Sequence, residues 1–128
     1  MNTIRNLDTA NALEAFIGIT AAEGGINNWA HITRYRWSAP TINATHEKFD
    51  VRINLQDTED DNRAYIVTPN VIRSGIERLR AKPVEGLAEQ YRASLIGQTF
   101  LAYDDADFDA QDADILVQIG LFGEVRYG

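Results

Sequence analysis

One stretch of the sequence, DDADFDAQDAD, places six carboxylates within eleven residues. Such a run could bind a divalent cation, imitate the phosphates of a nucleic acid, or begin a helix. A calcium loop starting at Asp105 would have oxygen ligands at its first, third and fifth positions, but Ala110 stands where the turn needs glycine and Leu116 where it needs glutamate. The stretch therefore does not match an EF-hand, and a looser divalent site of Asp105, Asp107 and Asp109 remains as a metal hypothesis.

The same stretch also has the features of a helix start. Asp109 and Asp112 are spaced like a capping box, and acids in a first turn face the positive end of the helix dipole. Apolar residues then recur at helical spacing, and Gly120 or Gly123 can end the helix. Helix initiation therefore accounts for much of the acid run.

The net charge of −7 is unevenly distributed along the chain. Residues 57–61 hold four acids and residues 104–114 hold six, so these two stretches contain ten of the nineteen acids. If the two stretches adjoined in space, they could compete for the basic groove of a nucleic-acid-binding protein, because carboxylates present the same sign of charge as phosphates. The alternative is two solvated surface turns.

The densest run of residues suited to binding is EGGINNWAHITRYRW, residues 23–37. Its glycines allow close backbone approach, its asparagines offer paired donors and acceptors, its aromatic rings can stack, and its arginines can bind phosphate or carboxylate. The same residue types also suit a glycine helix cap, an asparagine turn and a core strand whose arginines face water. The candidate binding residues, from this run and beyond it, are Glu23, Asn27, Asn28, Trp29, Tyr35, Arg36, Trp37, His46, Asp107, Asp112 and Gln118.

The two histidines, His31 and His46, are candidates for proton transfer near neutral pH. Together with a carboxylate such as Glu47 they could also bind a metal, although a structural or surface role is the alternative for each. The sequence contains no motif of a serine nucleophile, a zinc protease or a phosphate-binding loop. We therefore predict no cofactor and assign no catalytic residue.

Hydrophobic periodicity predicts the elements that would position these residues. Helices are predicted at about residues 9–23, 69–82, 84–96 and 109–122. Asp8 or Thr9 can cap the first helix, and Gly24 suits a left-handed position just past its end. Thr68 followed by Pro69 is typical of a helix start, and Gly97 is expected to end the third helix.

Alternation with a period of two predicts antiparallel strands at about residues 29–37, 48–55 and 63–67. The first strand is expected to carry an aromatic face and a cationic face, formed respectively by Trp29, His31, Thr33, Tyr35 and Trp37 and by Ile32, Arg34 and Arg36. The sequence therefore predicts an α+β fold, in which a small antiparallel sheet of three or four strands is covered on one face by about four helices.

The bulk composition is that of an ordinary globular protein. A length of 128 residues predicts a single domain, residues 1–128, and no apolar run approaches the roughly 18 residues that a membrane span requires. The N-terminal sequence lacks the apolar core of a signal peptide, and the chain has no cysteine, so a cytoplasmic protein is expected.

The segments AAEGGINNWAHITRYRW and DADFDAQDADILVQIGLFGEVRYG, with THE and VTPNVIRSGIERL between them, resemble a group of small uncharacterised proteins of actinobacterial phages and plasmids. In that group an EGG–W–YRW block near the start and an AD–Q–LFGE–YG block at the end recur. The resemblance implies mobile-element biology without implying an activity. The positions that it marks are Glu23, Gly24, Gly25, Trp29, Tyr35, Trp37, His46, Asp112, Asp114, Gln118 and Glu124.

Two functional hypotheses follow. The preferred one is a non-enzymatic phage or plasmid accessory protein that binds a host macromolecule, as an anti-defence inhibitor or a nucleic-acid mimic; its partner would be a host protein, and direct nucleic-acid binding and membrane association are not expected. The alternative is a small-molecule or nucleotide-binding protein, or a small enzyme. Its site would lie between the loop at residues 23–37, His46 and the helix start at residues 107–118, with Arg36 and the asparagines holding the ligand and His46 or Glu23 moving any proton.

Overall fold

The computed structural model describes residues 6–8, 11–39 and 46–128, of which residues 6–8, 46 and 47 are described by their backbone alone. The elements in chain order are β1 Asn6–Asp8, α1 Ala12–Ala22, the 3-10 helix η1 Gly25–Asn28, β2 Ala30–Ser38, β3 His46–Lys48, β4 Asp50–Asp57, β5 Arg63–Val67, α2 Pro69–Ala81, α3 Glu89–Thr99 and α4 Ala110–Phe122. The α+β class is confirmed. None of the described helices is long and apolar enough to cross a membrane.

The main sheet is antiparallel and has the strand order β2-β4-β5. Its central strand, β4, alternates as predicted, because Val51, Ile53 and Leu55 are buried while Arg52 and Gln56 are exposed. The buried residues face the helices, so one face of the sheet joins the core and the other forms the outer face.

A register shift in β2 corrects the predicted division of its faces. The shift lies between Ile32 and Arg34, after which Tyr35 pairs with Ile53 on the core side. Ile32, which pairs with Leu55, therefore lies on the same side as Tyr35 and not with the arginines. A single extra residue in one strand has this effect because side chains alternate with a period of two.

Strands β1 and β3 form a second, parallel pair that the sequence pattern did not indicate. Asp8 lies in β1, so the predicted cap at Asp8 is wrong, and Thr9 lies outside the described residues. Helix α1 instead begins at Ala12, after Asn11 in a left-handed conformation with φ of 65°.

Helix α4 is the central helix of the core, and α2 crosses it at close range. An added Cβ at Gly75 would lie 2.4 Å from the carbonyl oxygen of Leu116, and one at Gly120 would lie 2.2 Å from that of Val71. The two backbones therefore approach more closely than any side chain at these positions would allow. This contact fixes α4 against α2 and, through α2, against the sheet.

Several helix boundaries differ from those predicted. The third helix begins at Glu89 instead of 84, because residues 84–88 form a turn in which Gly86 has a φ of 85°, and it continues past Gly97 to Thr99. Gly24 has a φ of −161° and leads into η1 instead of adopting a left-handed conformation.

Two helix ends agree with the sequence. Asp109 and Asp112 form the predicted capping box, and Gly123 closes α4 with a φ of 75°. Pro69 begins α2 as expected, although the side chain of Thr68 makes no capping hydrogen bond.

Candidate functional site

A cavity of about 520 Å³ lies where η1, the start of α4, the turn before α3 and the C-terminal residues meet. We call it the Asp114 cavity. It is lined by Gly24, Gly25, Asn28, Gly86, Leu87, Ala88, Tyr91, Ala110, Gln111, Asp114, Ile115, Val125, Tyr127 and Gly128. Two of the three segments that the sequence analysis placed around a small-molecule site, the loop at residues 23–37 and the helix start at residues 107–118, therefore do meet.

The contact between η1 and α4 depends on small residues. An added Cβ at Gly24 would lie 2.7 Å from Cβ of Ala110. One at Gly25 would lie 2.3 Å from the carbonyl oxygen of Ala110 and 2.5 Å from Cβ of Asp114. The two glycines therefore let α4 pack directly on the backbone that leads into β2, and this packing brings Asn28 and Asp114 to the same cavity.

The cavity wall includes Asp114, whose side chain is a carboxylate. The residue is buried, and its two oxygens accept hydrogen bonds from Nε1 of Trp29 at 2.7 Å and from Nε2 of Gln118 at 2.9 Å. Burial raises the pKa of Asp114 above its ordinary value, and the two hydrogen bonds oppose that rise without cancelling it. A desolvated carboxylate whose two oxygens are both hydrogen-bonded within the protein thus belongs to a residue of the cavity wall.

Gln118 connects this carboxylate to the C-terminal residues. Its Nε2 also donates to the carbonyl oxygen of Tyr127 at 3.0 Å, while its Oε1 accepts from the backbone N–H groups of Arg126 and Tyr127, each at 2.9 Å. The ring of Tyr127 stacks on that of Trp29, with centroids 5.2 Å apart. The wall of the cavity is therefore held by a buried polar network and not by apolar contacts alone.

Asp57 extends the same network and corrects the predicted acidic patch. It is fully buried and accepts a hydrogen bond from the hydroxyl of Tyr127 at 2.8 Å. It also accepts hydrogen bonds from the backbone N–H groups of Glu59 and Asp60. The strand alternation through Val51, Ile53 and Leu55 would have placed it inward, so the signal was present in the sequence. Asp57 stabilises the hairpin turn and does not belong to an exposed surface.

Among the exposed acids of the two stretches, Asp104 lies near the opposite end of β4 from Glu59 and Asp61. Glu59 and Asp61 are exposed just beyond its C-terminal end. Asp104 follows Tyr103, whose ring lies 4.9 Å from that of Phe49 at the other end. Eight residues of strand at about 3.3 Å each separate these points by roughly 26 Å. Asp104 therefore does not share one continuous surface with Glu59 and Asp61.

The other candidate residues are dispersed. Glu23 and Asn27 are exposed beside the cavity, and Trp37 is 51% exposed at the end of β2. Tyr35 is half-buried on the core side, and burial together with the charge of Glu23 raises its pKa to about 12. The side chain of Arg36 projects from the outer face of the sheet, whereas those of Tyr35 and Trp37 project from the opposite face.

The three remaining candidates, Asp107, Asp112 and His46, lie in different parts of the structure. Asp107 is exposed in the loop before α4, where its N–H donates to Gln98. Asp112 caps α4 and accepts a hydrogen bond from the hydroxyl of Tyr91. The backbone of His46 pairs with Asn6 in the β1–β3 pair, and its side chain lies outside the described residues.

In the part of the chain that the structure describes, the acidic and histidine side chains do not form a metal site. No three of its histidine, aspartate and glutamate side chains converge as a metal site, and this includes Asp105, Asp107 and Asp109.

Comparison with protein-family models, with curated proteins and with solved structures found no significant match to this chain.

The raised pKa of Asp114 has a measurable consequence for stability. Because the folded state binds this proton more readily than the unfolded state, lowering the pH through the raised pKa stabilises the native protein relative to an Asp114→Asn variant. We expect the free energy of unfolding of the native protein minus that of the variant to rise as the pH falls through the raised pKa, and to level off below the ordinary value of 3.8. Urea denaturation at a series of pH values measures it.

The matched control is Asp104→Asn, which makes the same change on an exposed loop. The difference in free energy of unfolding between the native protein and Asp104→Asn should not show the pH dependence expected for Asp114→Asn. A difference between native protein and Asp114→Asn that stays constant with pH would show that Asp114 is not desolvated as described.

Proposed function

We propose that this protein binds a small organic molecule in the Asp114 cavity. The observation that carries the proposal is a buried carboxylate in the wall of a cavity whose other side chains are largely apolar. The volume of about 520 Å³ lies within the range of roughly 300–1,000 Å³ that is usual for ligand pockets. A few polar groups set in an apolar wall are the usual means by which such pockets orient a ligand.

The chemistry of the wall selects the kind of ligand. Each carboxylate oxygen can accept more than one hydrogen bond, and each oxygen of Asp114 uses one within the protein. A buried carboxylate is costly unless a donor or a cation compensates its charge. Leu87, Ile115 and Val125 offer apolar contact. The ligand that fits therefore has an apolar body and a hydrogen-bond donor, preferably an amine or an amidinium.

The position of the cavity relative to the two sequence blocks supports the proposal. Residues 24–29 belong to the first block and residues 110–128 to the last, and they form facing walls. The blocks are also the basis of the resemblance to proteins of actinobacterial phages and plasmids. We accordingly propose the cytoplasm of a bacterium that carries such an element as the setting, on the strength of the sequence alone.

A matched set of aromatic probes tests the proposal. Benzylamine and benzamidine carry the donor on an apolar ring, whereas benzoate has a similar size and the opposite charge. We expect calorimetric titration to detect the two cations and not benzoate, because benzoate would bring a second carboxylate to Asp114. Ala88→Phe, which fills the rim of the cavity from an exposed position, should weaken binding by about tenfold or more.

Ala93→Phe is the control, because Ala93 is exposed on α3, the helix that follows Ala88, and does not line the cavity. It should bind the cations as the native protein does. Equal binding of benzoate, or equal effects of the two phenylalanine variants, would refute the proposal.

The exposed hairpin after β4 favours a second candidate, the binding of a host macromolecule. Buried Asp57 holds the turn through the N–H groups of Glu59 and Asp60, and Asp61 and Asn62 are fixed in left-handed conformations. A rigid acidic tip of this kind suits a basic protein surface. Charge reversal at Glu59 and Asp61 should abolish such an interaction, which should also weaken with salt, and should leave benzylamine binding unchanged.

A further inference from the structure

The outer face of the main sheet carries a cluster of arginines that the Asp114 cavity does not involve. Arg34 and Arg36 project from β2, and Arg52 and Asn54 from β4, with Arg36 paired to Arg52 and Arg34 paired to Asn54. Facing residues in an antiparallel pair are about 5 Å apart, and neighbours on one face of a strand about 7 Å apart. Three guanidinium groups are therefore anchored within one small area.

No described carboxylate forms an ion pair with this cluster. The three ion pairs of the described residues involve Arg73, Arg92 and Arg126, and none involves the arginines of the outer face. Like charges directly opposite each other destabilise a sheet. The arrangement is therefore suited to an external anion, and it stands out in a chain whose net charge is −7.

The arginines surround a hollow of about 350 Å³, which we call the arginine hollow; Arg34, Tyr35, Arg36, Arg52 and Asn54 line it. The three guanidinium groups are exposed donors around this hollow. Planar guanidinium groups bind the oxygens of phosphates and carboxylates through parallel, charge-assisted hydrogen bonds. The hollow thus offers several charged donors to one occupant.

We propose that the arginine hollow binds the phosphate group of a small phosphomonoester. Such a group carries a charge of about −1.5 to −2 near neutral pH, since its second pKa is about 6. Its terminal oxygens would accept hydrogen bonds from the guanidinium groups, whose positive charge favours the dianion. An ionised carboxylate, a sulfate ester and a nucleic-acid phosphodiester each carry about one negative charge, so each offsets less of the charge of the cluster.

Calorimetric titration at about pH 8, where the phosphate dianion predominates, tests the proposal. Phenyl phosphate and inorganic phosphate are the positive probes, and phenyl sulfate is the matched probe with about half the negative charge. We expect both phosphates to bind and phenyl sulfate to bind about tenfold more weakly or not at all. Binding by inorganic phosphate alone would overturn the assignment to an ester, because the hollow is open to the attached group.

Variants locate the binding. Arg52→Gln removes one guanidinium from an exposed position and should weaken phenyl phosphate binding by about tenfold. Arg63→Gln makes the same change on β5 outside the hollow and should have no effect. Equal urea midpoints for both variants and the native protein would show that the fold is kept.

Three results would overturn the proposal. They are an absence of phenyl phosphate binding at millimolar concentration, equal binding of phenyl sulfate, and equal affinities of the two arginine variants. A short single-stranded oligothymidine that bound through Arg52 where phenyl phosphate did not would assign the face to nucleic acid instead.

Discussion

Replacing Gly25 with alanine is expected to destabilise the protein by about 3 kcal/mol or more, because the added methyl group has no space. Its Cβ would lie 2.3 Å from the backbone oxygen of Ala110 and 2.5 Å from Cβ of Asp114. A backbone oxygen in the first turn of α4 cannot move without displacing the helix from η1. The urea midpoint of the Gly25→Ala variant measures the loss.

The same substitution at Gly97 serves as the control. Gly97 is exposed within α3, and an added Cβ there meets nothing within 4 Å. Alanine stabilises a helix interior by roughly 1 kcal/mol relative to glycine, so Gly97→Ala should raise the midpoint. If Gly25→Ala were as stable as Gly97→Ala, the close packing of η1 on α4 would be wrong.

Replacing Gln118 with leucine is expected to cost about 3 kcal/mol, although leucine is close to glutamine in size. The change removes four hydrogen bonds and leaves an oxygen of Asp114 and the backbone groups of Arg126 and Tyr127 without their partner. Each buried polar group left unpaired costs roughly 1–3 kcal/mol, unless the C-terminal residues detach and become solvated. Urea denaturation gives the total loss in free energy of unfolding, and amide hydrogen exchange shows whether the C-terminal residues detach.

In the native protein the N–H groups of Arg126 and Tyr127 are expected to exchange slowly, and in Gln118→Leu rapidly. Gln90→Leu is the control, since Gln90 is exposed on α3 and the change there should stay within about 0.5 kcal/mol. Slow exchange of both N–H groups in Gln118→Leu, with unchanged stability, would contradict the role of Gln118 in holding the cavity wall.

The elements whose signals are local could be predicted from the sequence. The alternation in β4 and the capping box of Asp109 and Asp112 each depend on residues within one element, and both are confirmed. The start of α3 was missed because Gly86 and the hydrogen bond from Val125 to Glu85 hold residues 84–88 as a turn. That contact joins residues 40 positions apart, which a local pattern does not include.

The site was harder to predict for the same reason. The sequence indicated that residues 23–37 and the start of α4 could share a site, but Trp29 reaches Asp114 across 85 positions. An aspartate and a glutamine at helical spacing inside the apolar run of α4 were the available signal for Asp114 and Gln118. The register shift in β2 also reassigned Ile32, because one extra residue reverses the side on which a side chain lies.

The indole N–H signals of the two tryptophans provide the most direct test of the Asp114 cavity as a ligand site. Trp29 donates its indole N–H to Asp114, whereas Trp37 is half-exposed at the end of β2 and serves as an internal reference. In a ¹H–¹⁵N spectrum, with Trp37→Phe to assign the two signals, titration with benzamidine is predicted to shift the signal of Trp29 and leave that of Trp37 in place. An unmoved Trp29 signal, or an equal shift caused by benzoate, would contradict the account.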